Sequence, residues 1–102
     1  MCQGVGMVLE VALIDIKTGE EEAFAQAYAE GRPVLASAEG CRSVRMTRGI
    51  ESPSRFVLLV EWDSVEAHEK NFRETELFGQ WRALIGHHFA NPPLVEHFTD
   101  VG

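Results

Sequence analysis

Two segments of this sequence are apolar at almost every position, and each has the length of a β-strand. They are residues 7–14 (MVLEVALI) and Arg55–Trp62 (RFVLLVEW). Because successive side chains of a strand point to opposite faces of a sheet, this pattern predicts that both sheet faces need cover. A chain of 102 residues has room for few helices to provide it. The chain is therefore expected to form a sheet with one face that its own helices do not cover.

The first helix is predicted to begin at Thr18, an N-cap residue with Glu21 three positions later to complete a capping box. Gly31 and Pro33 are expected to stop or kink this helix, because proline removes a backbone donor and clashes with the preceding turn.

The second half of the chain contains two more predicted strands and a helical region. Residues 41–50 alternate between polar and apolar side chains, and residues 94–101 form the last predicted strand. Asp63 or Ser64 is expected to cap a helix, and Glu76–Ile85 forms a second helical piece. The order β-α-β-β-α-β predicts an α+β, ferredoxin-like fold with a four-stranded antiparallel sheet, in one domain over residues 1–102.

Charged residues interrupt the apolar strands, and we expect them to lie on one sheet face. If the first and third strands pair centrally, Arg45 can form an ion pair with Glu61, and Glu10 and Glu96 point the same way. Two helices cover only one face of such a sheet. The opposite face, which carries these charges, is therefore predicted to meet a second copy in a homodimer.

His68 is the most suggestive residue for chemistry. It shares a predicted apolar helix stripe with Val65 and Phe72, where a charged imidazole is disfavoured. The strand faces place Trp62 and His97 on the helix side, facing His68. A neutral histidine there can act as a base or a hydrogen-bond donor, or it can be a satisfied core residue.

Other side chains allow a similar pair of interpretations. Trp62 and Trp81 can stack on a flat aromatic substrate or belong to the core. Arg82 can reach an anionic substrate oxygen or extend along the surface. The adjacent His87 and His88 lack the spacing of metal-binding pairs, so no metal site is expected.

Composition restricts the class of protein. The net charge of −7 argues against nucleic-acid binding, and the longest apolar run is too short to cross a membrane. The N-terminal residues lack the features of a secretory signal, and two cysteines, including Cys2, do not form a disulfide framework. We therefore expect a cytoplasmic protein with no nucleic-acid or membrane partner.

Three stretches together resemble the antibiotic biosynthesis monooxygenase family: FVLLVEWDSVEAHEKNFRET, LFGQWRALIG and PPLVEHF. The resemblance implies a dimeric α+β barrel, in which two ferredoxin-like protomers pack their sheets face to face. It also implies a monooxygenase that oxidises a small hydroxyaromatic or hydroquinone with molecular oxygen and without a cofactor. Carried onto this chain, His68 is the catalytic base or donor. The substrate-binding residues expected with it are Trp62, Asn71, Phe72, Trp81, Arg82 and His97.

Two alternatives remain within the same fold. The chain can be a non-catalytic small-molecule-binding or accessory dimer, since fold membership alone does not fix chemistry. Relatives that degrade haem use an asparagine on the first strand and a helix histidine near the position of Trp81 and Arg82. This sequence has neither, so haem degradation is disfavoured.

Overall fold

The computed structural model describes residues 7–102, so Cys2 lies outside the described residues. The elements, in chain order, are β1 (Val8–Asp15), α1 (Glu21–Ala36), β2 (Cys41–Arg48), β3 (Arg55–Trp62), α2 (Val65–His68), a π-helical turn (Glu69–Arg73), α3 (Glu76–Ile85), a 3-10 turn (Gly86–His88) and β4 (Leu94–Phe98). The predicted order of strands and helices is confirmed. β2 and β4 each end earlier than expected.

The four strands form one antiparallel sheet in the order β2-β3-β1-β4. The predicted central pairing of the first and third strands is confirmed, with Glu10 opposite Val60 and Leu9 opposite Glu61. On its other edge β1 pairs with β4, which places Glu10 opposite His97. The sheet is an α+β, ferredoxin-like arrangement with the helices packed on one face.

The first helix differs from the prediction at both ends. It begins at Glu21, and Thr18 does not cap it; instead the Gly19 N–H donates to the Glu21 carboxylate at 2.9 Å. Pro33 does not stop the helix, which continues to Ala36. The residues after the proline are apolar, and Leu35 is 1% exposed in the core. Burial of this last turn offsets the hydrogen bond that Pro33 removes.

Side-chain caps at Ser64 and Thr75 determine where the two helices after β3 begin. The Ser64 hydroxyl caps α2 by accepting from the Ala67 N–H at 3.0 Å. After His68 the helix widens by one residue, because the Glu74 N–H donates to the Glu69 carbonyl, five positions back. Thr75 then caps α3 by accepting from the Leu77 N–H at 3.2 Å.

The prediction that Glu10 lies on the open sheet face is wrong. Glu10 shares the helix-side face of β1 with Ala12 and Ile14, and it is 5% exposed. The period of two fixes this, because Glu10 lies between partly buried Val8 and buried Ala12, which point to the same face. The carboxylate stays buried because polar side chains from neighbouring elements meet it.

The opposite sheet face carries the remaining charged residues predicted to lie there. Glu61 pairs with Leu9, Arg45 with Leu59, and Glu96 with Val11, and the apolar residues of this face are only partly buried. Within residues 7–102 Glu61 accepts a hydrogen bond from the Ser43 hydroxyl at 2.8 Å, and no ion pair joins it to Arg45. Among the described residues, none of the helices is long and apolar enough to cross a membrane.

Candidate functional site

A cavity of about 460 Å³ lies between the helix-side face of the sheet and the roof made by the π-helical turn and α3. Its floor includes Ala12 of β1 and Leu58 of β3. Its roof is aromatic, with Phe72, Phe78 and Trp81 in edge-to-face contact at centroid distances of 5.7 to 6.5 Å. A cavity of this size with mostly apolar walls fits a small flat molecule.

One end of the cavity is polar and almost completely buried. Glu10 and His68 both line it, at 5% and 3% exposure. The Trp62 indole N–H donates to Glu10 Oε1 at 2.9 Å, and His68 Nε2 lies 3.4 Å from the same oxygen. A carboxyl group and an imidazole therefore face the cavity side by side.

The His68 ring is held from several directions. It stacks on Trp62 with centroids 4.8 Å apart and an interplanar angle of 17°, and it also contacts Phe72. Its Nδ1 lies 2.8 Å from His97 Nε2, in a hydrogen bond whose direction depends on the tautomers. The predicted orientation of Trp62 and His97 toward His68 is confirmed.

Burial shifts the ionisation of both cavity groups toward their neutral forms. It raises the pKa of Glu10, against the opposing effects of the Trp62 hydrogen bond and the Arg73 charge. It lowers the pKa of His68 to about 4, with further lowering by His97 and Arg73. His68 is therefore a neutral imidazole at physiological pH, and Glu10 is a weaker acid than an exposed glutamic acid.

Two arginines line the cavity near its aromatic roof. Arg73 and Arg82 lie over the Phe78 ring, with guanidinium carbons 5.1 and 5.7 Å from its centroid. Arg82 is also 5.2 Å from the centroid of Phe89. Neither arginine forms a salt bridge within residues 7–102, so both guanidinium groups can meet an anionic ligand atom.

The structure brings together most of the residues predicted for the site. His68, Phe72, Trp81 and Arg82 line the cavity. Trp62 and His97 stand behind His68 and do not line it. Asn71 is elsewhere: its side-chain amide donates to the Glu39 carbonyl at 2.8 Å.

Two charged cavity residues were missed by the sequence-based prediction. Glu10 was assigned to the wrong sheet face, although its position between two helix-side residues was a usable signal. Arg73 follows His68 by five positions, which share a face in a π-helical turn and not in an α-helix. No pattern based on α-helical spacing could have found it.

Neither a reactive thiol nor a metal site is found among the described residues. Burial raises the pKa of the Cys41 thiol to about 11, which disfavours the nucleophilic thiolate. Within the described part of the chain, no three histidine, cysteine, aspartate or glutamate side chains are grouped closely enough to hold a metal ion.

Comparisons with known proteins agree on one family. The sequence model of the antibiotic biosynthesis monooxygenase family matches residues 7–84. The uncharacterised Bacillus subtilis protein YczJ is 36% identical over 96 residues, which cover 93% of this chain and all of that protein.

Solved structures agree with this family assignment. A Bordetella bronchiseptica protein, provisionally assigned as an antibiotic biosynthesis monooxygenase, is 40% identical with a TM-score of 0.92, covering 95% of this chain and 99% of its own. SnoaB from Streptomyces nogalater, a cofactor-independent oxygenase, shares the fold at 14% identity with a TM-score of 0.82, covering 96% of each chain.

Proposed function

Because this chain belongs to the antibiotic biosynthesis monooxygenase family, we propose that it oxidises a hydroxyaromatic or hydroquinone-type small molecule with molecular oxygen and without a cofactor. The observation that carries the proposal is the pair of buried groups, Glu10 and His68, that stand beside each other on a cavity with mostly apolar walls. The fold neighbour SnoaB is a cofactor-independent oxygenase, so the fold accommodates this reaction class.

The proposed reaction needs no external reductant. The substrate loses its hydroxyl proton, and the resulting electron-rich anion reduces oxygen and forms a carbon–oxygen bond with it. One oxygen atom becomes a ring carbonyl. The O–O bond then breaks, and the second atom leaves as water with two hydrogens from the substrate.

The chain's own residues have three tasks in this reaction. Glu10 and His68 take up and return protons at the polar end. Arg73 and Arg82 stabilise the negative charge of the substrate anion, since they line the cavity without a carboxylate partner in the described residues. The rings of Phe72, Phe78 and Trp81 stack on or against a flat substrate and exclude water.

The functional unit in this proposal is a homodimer formed through the open sheet face. Leu9, Val11 and Leu59 are only partly buried there, although they lie in the centre of the sheet. Leu94 and Phe98 of β4 share this face and are 61% and 47% exposed. A second copy would cover these side chains and bring Arg45 near acidic residues of the other protomer.

Oxygen uptake with a panel of hydroquinones and hydroxyanthrones tests the reaction. We expect uptake by the wild type and a loss of about 100-fold or more in His68→Ala, because proton transfer in the cavity would lose its positioned imidazole. His87→Ala is the matched control, since His87 is exposed outside the cavity.

The panel also separates the proposal from the alternative of a non-catalytic binding dimer. In that case ligands bind, as measured by calorimetry, and no oxygen is consumed by the wild type. Equal oxygen uptake by the wild type and His68→Ala would exclude His68 as a catalytic residue.

A further inference from the structure

Glu10 has a free hydrogen-bonding position on the cavity. Its Oε1 atom meets both the Trp62 indole and His68 Nε2. Its Oε2 atom accepts no hydrogen bond from any residue within 7–102. A carboxylate oxygen that is this deeply buried normally has a partner. A substrate hydroxyl in the cavity would supply one.

His68 connects this carboxyl group to the edge of the sheet. One ring nitrogen faces Glu10 at 3.4 Å, and the other lies 2.8 Å from His97 Nε2. His97 is on the edge strand β4, directly opposite Glu10 in register, and its side chain is only half-buried. A continuous line of three titratable groups therefore runs from the cavity to the protein surface.

We propose that Glu10 is the catalytic base that accepts the proton of the substrate hydroxyl, and that His68 and His97 relay this proton to solvent. The inference rests on the proposed function, since it names the group that performs its first step. His68 then has a different role from the one that the sequence suggested: it receives the proton from Glu10 and not from the substrate.

The proton steps balance without a charged His68. Glu10 takes the substrate proton on Oε2, and its carboxyl group then rotates about the Cγ–Cδ bond so that this O–H faces His68 Nε2. The O–H bond breaks as the proton passes to His68 Nε2, while the His68 Nδ1 proton moves to His97 Nε2. The resulting His97 imidazolium releases its Nδ1 proton to water. When the O–O bond breaks later in the reaction, the same steps in reverse return one proton to the cavity and restore the starting tautomers.

The charged groups around the line favour transfer over storage of the proton. Arg73, from the π-helical turn, stabilises the Glu10 carboxylate and opposes protonation of His68. Cys41, from β2, stays a neutral thiol, and Trp62, from β3, donates to Glu10 without titrating. Arg82 of α3 lines the cavity and adds positive charge.

Glu10→Gln separates a catalytic carboxylate from a structural one. The amide oxygen of glutamine keeps the shape and the acceptor for the Trp62 N–H, so the fold is retained, but it cannot take a proton. We expect oxygen uptake to fall about 100-fold or more at neutral pH. The loss should shrink as pH rises, because the substrate then ionises in solution without the base.

Anaerobic binding of dithranol, a hydroxyanthrone, tests the proton transfer without oxygen chemistry. Wild type should bind it as the anion, detected by absorbance, and release a proton to a pH indicator. Glu10→Gln should bind it without the anion band. His97→Gln should form the anion more slowly, and added imidazole should restore the rate. His87→Gln, an exposed histidine outside the cavity, should match wild type.

The outcomes distinguish this inference from the proposed function. An anion band in Glu10→Gln equal to that of wild type would overturn the role of Glu10, whatever the oxygen uptake. An anion band in wild type without oxygen uptake would overturn the monooxygenase and keep the proton relay. No anion band in wild type at saturation with any member of the panel would overturn both.

Discussion

The indole N–H of Trp62 donates a hydrogen bond to the Glu10 carboxylate at 2.9 Å, and both side chains are almost completely buried. The two residues lie on neighbouring strands, β3 and β1, two positions apart in register. Trp62, predicted to bind the substrate, thus acts as the donor that holds the Glu10 carboxyl group in place.

Trp62→Phe should destabilise the protein by about 1–3 kcal/mol, because Glu10 would lose its donor in a buried site. It should also raise the pKa of Glu10 further, since the hydrogen bond lowers it. Urea denaturation measures the stability change. Trp81→Phe is the control, because Trp81 is also buried but its indole makes no hydrogen bond within residues 7–102. A smaller loss in Trp62→Phe than in Trp81→Phe would contradict the prediction.

Acidification should destabilise the wild type through His68. Burial lowers the pKa of His68 from the usual 6.5 to about 4. Between pH 6.5 and pH 4, the His68 imidazole is therefore protonated more readily in the unfolded chain than in the folded protein. The free energy of unfolding therefore falls as pH decreases from 6.5 to 4, by at most about 3 kcal/mol from this group. Glu10 contributes with the opposite sign, because its raised pKa makes the folded state bind more protons.

His68→Gln removes the histidine term of this pH dependence. Its free energy of unfolding should fall less than that of wild type over the same pH range, in urea titrations at several pH values. The other titratable or charged groups near residue 68, which are Glu10, His97 and Arg73, are present in both proteins, so the difference between them reports on His68. Parallel pH curves for the two proteins would show that His68 titrates normally.

Arg73→Gln should raise the pKa values of both Glu10 and His68, because the guanidinium charge lowers each of them. The ring-proton resonance of His68 in NMR titrations reports the shift directly. Arg82→Gln provides the comparison: Arg82 lines the same cavity, but the charge that lowers the pKa of both groups is that of Arg73. A larger shift in Arg82→Gln would reverse this assignment.

Gly31→Ala should destabilise the contact between α1 and α3. A Cβ atom at Gly31 would lie 3.0 Å from Trp81 Cε3 and 3.2 Å from Trp81 Cζ3. Displacing this ring costs about 1–3 kcal/mol, more than the helix propensity that alanine gains. Gly79→Ala on α3 meets nothing within 4 Å and should instead stabilise by about 0.5–1 kcal/mol. Equal unfolding midpoints for the two variants would refute the close approach.

Val11→Glu should convert the proposed dimer to a monomer in sedimentation experiments at micromolar concentration. It places a charge in the middle of the open sheet face, where burial against a second copy is costly. Ala25→Glu, on the exposed surface of α1, should leave the dimer intact. A wild type that sediments with the 11.4 kDa mass of one chain would refute the dimer itself.

Strong periodic patterns made most of the fold predictable. The apolar run Arg55–Trp62 and the amphipathic segment Glu76–Ile85 match their elements residue for residue. The start of α1 was not predictable, because the Thr18 capping signal is local and the observed helix begins three residues later. The effect of Pro33 also depends on tertiary packing, since the turn that follows it is buried.

The site was predictable only where its residues follow regular spacing. His68, Phe72 and Trp81 lie on predicted apolar faces and do line the cavity. Glu10 was grouped with the other charged strand residues on one sheet face, and its buried partners come from distant parts of the chain. Arg73 depends on a one-residue widening of the helix, which leaves no clear mark in the sequence.

The position of β4 separates the fixed and the labile parts of the site. Within residues 7–102, β1 is hydrogen-bonded to a strand on each edge, whereas β4 has five residues and one neighbouring strand. Amide hydrogens should therefore exchange with deuterium earlier in β4 than in β1, because local opening starts at weakly held edges. Glu10 thus stays anchored in the slowest-exchanging strand, while His97 belongs to the strand that opens first.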